Sequence, residues 1–186
     1  MKRVRTEYGA SCDTIIIGSD HAGYALKTQI IDYLKKGAAY KDRLVTIVDV
    51  GTTSESNRVD YPDMAEAVCT KVLQIPTARG ILLDGAGIAS GIAANKFTGI
   101  RAAVVHDHFS ISMGRKHNDC NVACLGGKTI GIEAAKEILD VFILCPFEGE
   151  RHLPRLAKLE ALEQLPSHPV VPTPSSATSS PFRLPK

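Results

Sequence analysis

Five short apolar runs punctuate the chain: Thr14-Ile15-Ile16-Ile17-Gly18, Val45-Thr46-Ile47-Val48-Asp49-Val50, Ile81-Leu82-Leu83, Ala102-Ala103-Val104-Val105 and Val122-Ala123-Cys124-Leu125. They are continuous rather than alternating and rich in β-branched residues, the pattern of strands buried on both faces of a parallel sheet. The intervening stretches carry helical spacing. It predicts helices from Tyr24 to about Lys36, where Leu26, Ile30, Ile31 and Leu34 recur, and from Met64 to about Leu73. Further helices are predicted over Gly87–Lys96, His106–Lys116, Ile132–Leu144 and residues 151–165, the last with Leu156, Leu159 and Leu162 on or near one face. Strands alternating with helices imply an α/β fold, a five-stranded parallel sheet with helices on both faces in three α/β/α layers.

Ligands of such sheets bind outside the carboxyl ends of the strands. Polar residues stand at those ends. Asp20 and His21 follow the first strand, Tyr61 lies in the polar loop after the second, Asp84 ends the third, and His106 and Asp107 follow the fourth. His117-Asn118-Asp119 comes after the next helical piece.

The chain has 186 residues, enough for one domain over residues 1–165. Residues 166–186 are rich in Pro, Ser and Thr and are predicted to be disordered, because they bury too little to offset their ordering entropy. A net charge of +2 with both signs interspersed lacks the basic stripe of a nucleic-acid binder. Lys2, Arg3 and Arg5 read as a solvated terminus, with a short binding arm as the alternative. The five cysteines are odd in number and form no CxxC pair, so reduced, mostly buried thiols in a cytoplasmic protein are expected, with no metal site. The basic start is not followed by a long apolar leader, and no apolar run approaches the ~20 residues of a membrane span.

The stretch from Gly80 to Lys96 passes from a strand through a glycine turn into small residues of helical character, with Asp84 at the junction. Glycines let a ligand approach the backbone, and free N–H groups there attract anions. Asp84 has two readings. It accepts the N–H groups of Gly85, Ala86 and Gly87, or it is a general base beside the anion they hold. Burial would raise its pKa and the N–H dipoles would lower it. Asp20 beside His21 either caps the next helix or meets the ligand. Tyr61 before Pro62 is a packed aromatic or a ligand contact. His117 and Asn118 offer an imidazole that passes protons and an amide donor. Arg151 and Arg155, four apart, share a helical face, and their guanidinium forks suit a phosphate; the alternative is solvated surface charge. Lys128, after Gly126-Gly127, is a further candidate phosphate contact. The turn lacks the Gly-Lys-Ser/Thr ending of a P-loop and is a poor dinucleotide fingerprint, so no nucleotide cofactor is expected.

Taken in order, a set of motifs resembles the ribose-5-phosphate isomerase B family, grouped with the galactose-6-phosphate isomerase subunits. They are Gly18-Ser19-Asp20-His21-Ala22-Gly23, Asp49-Val50-Gly51-Thr52, Asp60-Tyr61-Pro62, Gly85-Ala86-Gly87-Ile88, Ile92-Ala93-Ala94-Asn95-Lys96, Gly99-Ile100-Arg101-Ala102-Ala103, His117-Asn118-Asp119-Cys120-Asn121-Val122 and Glu148-Gly149-Glu150-Arg151-His152. The resemblance runs from about Ile15 to Leu165. It implies a metal-free, cofactor-free aldose–ketose isomerase on a Rossmann-like fold. It also implies homodimers, sometimes paired into tetramers, with each active site between two subunits. By position, His117 would assist ring opening, and Asn118 with the backbone around Gly85 and Gly87 would hold the enediolate. Asp20 would contact sugar hydroxyls, while His21, Lys128, Arg151 and Arg155 would hold the phosphate, some from the partner subunit.

The chain departs from the family at the base. Many members carry a proton-abstracting Cys in a Cys-Gly-Thr-Gly turn; here Asp84 and Ala86 replace the Cys and the Thr. Others use a Glu a few residues on, where this chain has Ile88-Ala89-Ser90. Lys128 stands where Arg is usual. Asp84 is then the expected base for ribose 5-phosphate or another four- to six-carbon phosphosugar. The alternatives are a phosphosugar-binding protein without catalysis, and an Asp84 that only shapes its turn.

Overall fold

The computed structural model describes residues 8–36 and 45–164. The tail expected over 166–186, and Lys2, Arg3 and Arg5, lie outside the described residues. Five strands, β1 (Thr14–Ser19), β2 (Thr46–Asp49), β3 (Ala78–Asp84), β4 (Ala102–Val104) and β5 (Val122–Gly126), form one sheet in the order β2-β1-β3-β5-β4. Every pairing is parallel, with Ile15 opposite Ile47, Ile17 opposite Ile81, Leu83 opposite Leu125 and Ala103 opposite Ala123. From β1 the chain moves outward to β2, then crosses back to β3 on the other side of β1. That reversal opens a crevice at the carboxyl ends of β1 and β3, where Asp20 and Asp84 sit.

Successive strand side chains point to opposite faces, and the sheet shows the alternation directly. Ile15, Ile17, Ile81, Leu83, Ala123 and Leu125 share one core with Leu26 and Ile30 of α1 (Tyr24–Lys35) and Ile138, Leu139 and Phe142 of α5 (Ile132–Leu144). Ile111 of α4 (His108–Asn118) joins them. Ile16, Leu82, Val122 and Cys124 face the other core, with Val68 and Val72 of α2 (Tyr61–Gln74) and Ala94 of α3 (Ile88–Ala94). A short 3-10 helix (Glu150–His152) leads into α6 (Leu153–Leu162). The layers are those expected from the alternation of strands and helices.

Several boundaries differ from the expectation, each for a local reason. Helix α2 begins at Tyr61 rather than Met64, because Pro62 sits in its first turn, where a missing N–H costs nothing. Helix α4 starts two residues late and ends at Asn118. Asp107 caps it, its Oδ1 accepting from Ser110 N at 2.7 Å in a capping box. His117 and Asn118 therefore close a helix rather than follow one. Strand β3 begins at Ala78, earlier than the apolar run suggested, because Arg79 is buried within it and donates to the carbonyls of Phe142, Ile143 and Ala10. The last helical segment starts as the 3-10 turn, so Arg151 and Arg155 belong to two different elements.

The carboxyl-end loops pack on one another without side chains between them. A Cβ on Gly23 would meet Leu83 at 2.6 Å, one on Gly126 would meet the Ala86 backbone at 2.7 Å, and one on Gly127 would meet Ala22 O at 2.8 Å. Buried Lys27 ties α1 to the end of β2: its Nζ donates to both Asp49 oxygens at 2.8 Å and to Thr52 O at 2.7 Å.

Candidate active site

The site residues fall into two groups. The first lines the crevice between β1 and β3. Asp20 is 8% exposed, and its Oδ1 accepts from Ala22 N at 2.8 Å and Gly23 N at 3.0 Å, holding the turn that enters α1. Asp84 does the same on β3. Its Oδ1 accepts from Ala86 N at 2.8 Å and Gly87 N at 2.5 Å, and its Oδ2 accepts from Ser90 N at 2.8 Å. Gly87 takes φ 79°, a left-handed conformation that glycine adopts freely, and lets the chain turn back into α3. Lys128 is exposed, and its N–H donates to Gly85 O at 3.0 Å, which seats the loop after β5 on the same turn. Tyr61, 39% exposed, stands at the start of α2.

The geometry weighs the two readings of Asp84. Burial pushes its carboxyl up, but hydrogen bonds from Ser90, Ala86 and Gly87 outweigh burial and hold it below its ordinary value. Asp84 is ionised at neutral pH and is the acceptor that shapes the turn. The N–H groups of Ala86 and Gly87, expected to hold the enediolate, are instead committed to Asp84; this corrects that part of the expectation.

Among the described residues, two buried polar atoms in or beside the crevice have no partner: His21 Nδ1 and Ser19 Oγ. Buried polar groups are normally satisfied, so such orphans mark places where a ligand or water completes the structure.

The second group gathers the end of α4 and the 3-10 turn. Glu148 N donates to Lys116 O at 3.0 Å, which brings residues 148–155 against His117. The His117 and His152 rings stack with centroids 4.3 Å apart and planes 18° from parallel. His117 is about one-third exposed, while His152 is buried. Arg151 Nε donates to His152 Nε2 at 3.2 Å, and Arg155 Nη1 lies 3.3 Å from His152 Nδ1. Burial lowers the His152 pKa, and the charges of His117, Arg151 and Arg155 lower it further, against Glu148. His152 is thus a neutral platform: its one unprotonated ring nitrogen accepts from a guanidinium, and its face seats the accessible imidazole of His117. The donor atoms of His117, Glu148 and His152 lie within 4.8 Å of one another, a spacing compatible with a metal ion. The guanidiniums at both His152 nitrogens make the surroundings favourable to an anion and hostile to a cation.

Asn118 is exposed at the last residue of α4, with its carbonyl accepting from Arg101 Nε at 3.0 Å. Asp119 follows in a left-handed conformation, φ 46°, and pairs with Arg115 and Arg101 at 2.9 Å each. Sequence reasoning missed Glu148 and the arginines at positions 101 and 115 as supports of this segment. The i,i+4 spacing of Arg115 and Asp119 is the signal that could have found one of them. Among the described residues, no hydrogen bond, ion pair or ring contact joins the His117 group to the Asp84 group.

Comparison with known proteins agrees with this architecture. The model of the Ribose/Galactose Isomerase family matches residues 15–159. Ribose-5-phosphate isomerase B of Escherichia coli is 41% identical over 150 residues, 81% of this chain and 96% of that protein. D-erythrulose-4-phosphate isomerase of Pectobacterium atrosepticum is 37% identical over 155 residues, covering 83% of this chain and 98% of that protein. The structure of Trypanosoma brucei type B ribose 5-phosphate isomerase superposes with a TM-score of 0.74 at 41% identity, covering 82% of this chain and 99% of that one. The parallel sheet, the crevice at its carboxyl edge and these matches place the chain in the Ribose/Galactose Isomerase family of sugar-phosphate isomerases.

Proposed function

We propose that the protein interconverts an aldose and a ketose phosphate, with ribose 5-phosphate and ribulose 5-phosphate as the substrate pair. The observation that carries this reading is the His117 group: an accessible imidazole stacked on a neutral one, bracketed by Arg151 and Arg155. Guanidiniums bind the phosphate dianion, and His117 moves the proton needed to open the furanose ring. His21, with an unpartnered buried Nδ1, and Lys128 complete the phosphate contacts, and Asp20 and Tyr61 meet the sugar. Asp84 takes the proton from C2, whose C–H electron pair forms the C1–C2 double bond as the C1 carbonyl pair moves onto O1; the proton returns to C1 while O2 gives its proton up to O1 and becomes the ketone oxygen. Asn118 and the backbone at Gly85 stabilise the enediolate oxygen. No cofactor enters this step.

The base in this mechanism is a carboxylate already accepting three N–H groups, so it is weaker than a free one. That observation favours, as a second reading, a phosphosugar-binding protein without turnover. D-erythrulose-4-phosphate isomerase, the relative named above, points to other chain lengths as a further alternative.

The separation of the two groups within one chain supports a homodimer in which each site takes the Asp84 group from one subunit and the His117 group from the other; pairing of dimers into tetramers is compatible with it. Exposed Ile88 and Ile92 on α3, with Phe109 on α4, supply apolar surface suited to self-association. Cytoplasmic residence accords with five unpaired cysteines, and no described helix is long and apolar enough to cross a membrane.

The test is exchange of the C2 proton of ribose 5-phosphate in heavy water, followed by NMR. Enzyme-dependent exchange with ketose formation is expected. Binding without exchange for every four- to six-carbon phosphosugar would instead establish the non-catalytic reading.

A further inference from the structure

At the amino ends of the strands, opposite the crevice, three arginines converge. Arg79 of β3, Arg101 before β4 and Arg115 of α4 line one cavity with Asp119, Ser11 and Thr77. The cavity has room for one small occupant and too little for a phosphate. Arg79 is 5% exposed, and the Arg101 and Arg115 side chains are 14% and 1% exposed.

Their charge is not balanced. Asp119 pairs with Arg101 and Arg115, whereas among the described residues Arg79 has no carboxylate partner and meets the carbonyls of Phe142, Ile143 and Ala10 and the Phe142 ring. Among the described residues, three guanidiniums stand against one carboxylate, which leaves two positive charges in a buried cluster, a costly arrangement unless an anion compensates it. The nearby thiols do not: burial pushes Cys12 up and Cys120 up to about 11, so both are neutral at pH 7. Burial, then Arg115, brings Arg79 down to about 10, the mark of a cation crowded by another. One donor of the cluster is also unused among the described residues. Arg115 donates through Nε to Cys145 O and through Nη1 to Cys120 O, yet its Nη2 is buried with no partner.

We infer that this cavity is a binding site for a single halide-sized monovalent anion, held among the guanidiniums of Arg79, Arg101 and Arg115. The site stands apart from the phosphosugar crevice and is independent of the proposed reaction. It underpins the same segment, because Arg101 also holds the carbonyls of Asn118 and Asp119. A bound halide supplies the negative charge that Asp119 alone does not.

The test uses the full chain without substrate. Crystals grown in bromide and measured at the bromine absorption edge are expected to show an anomalous peak in this cavity, among the three guanidiniums. In solution the protein is expected to broaden the chloride NMR line, with the broadening lost in Arg79→Gln. A cavity holding only water in bromide crystals, or a side chain of the same protein reaching into it, would overturn the inference whatever the variant does. Broadening that persists in a folded Arg79→Gln protein would overturn it as well.

Discussion

Replacing Asp84 separates its two roles, because the two smallest substitutions remove different things. In Asp84→Ala the N–H groups of Ala86, Gly87 and Ser90 lose their acceptor. Gly87 and Ser90 are buried. A buried donor left unsatisfied costs about 1–3 kcal/mol, so these two alone cost roughly 2–6 kcal/mol. That is a large share of the ~5–15 kcal/mol that holds a domain folded. Asp84→Asn keeps one oxygen for Ala86 and Gly87 and sets an amide against Ser90 N, losing one partner at about 1–3 kcal/mol. If Asp84 is also the base, Asp84→Asn lowers kcat by a further ~10²–10⁴-fold while phosphosugar affinity stays near that of the parent. The assays are urea denaturation for stability, and NMR exchange at C2 together with ketose formation for turnover. Lost stability with turnover per folded molecule preserved would refute the base and leave the turn-holding role. A fully stable and fully active Asp84→Asn would refute both.

The remaining predictions are narrower. The folded-state pKa values of Asp84 and His152 are both depressed, so their stabilisation is present at high pH and lost on acidification. For His152 the loss begins as pH falls below its ordinary 6.5, and for Asp84 below 3.8, which thermal melts across pH read out. An Asp84 base is ionised throughout the neutral range, so kcat is expected to show no rise between pH 7 and 9 of the kind a thiolate of pKa about 8.5 would give; such a rise would count against it. Gly126→Ala is expected to lose about 1–3 kcal/mol by forcing the Thr129 hydroxyl and the Ala86 backbone away, whereas Gly131→Ala, with nothing within 4 Å of the added Cβ, stays near the parent in urea melts. Lys27→Met leaves Thr52 O and Asp49 without their shared donor and is expected to cost about 1–3 kcal/mol, with faster amide exchange at Gly51 and Thr52.

The sheet was legible because its strands are buried on both faces, and the run Ile15-Ile16-Ile17 has no other sensible home. Helix α5 agrees from end to end, since its apolar spacing is unbroken between Ile132 and Leu144. Boundaries failed where a polar residue does an apolar residue's job. Arg79 hid the start of β3, and Pro62 looked like a stop when it was a first turn. The crevice was legible through Asp20 and Asp84, which end adjacent strands, and Asp84 as acceptor of the turn's N–H groups was one of its two expected readings. The stacking of His117 on His152 was not legible. It depends on Glu148 docking against Lys116, a contact between residues 32 apart whose spacing carries no periodic signal. The arginine cluster was hidden for a similar reason: its three members come from a strand, a loop and a helix and meet only once the sheet is closed.

The glycine-to-backbone packing beneath the crevice has a bearing on how substrate choice changes in such a protein. Gly23, Gly126 and Gly127 fit against Leu83, Ala86 and Ala22 with no room for a single methyl group. The floor of the site is therefore closed to gradual alteration, since every step away from glycine breaks the contact that sets the loops. Room for variation is left on the rim, where Tyr61 is exposed and is proposed to meet the sugar rather than the phosphate or the enediolate. Drift in which phosphosugar is accepted will accumulate there, and directed libraries are best confined to the same rim.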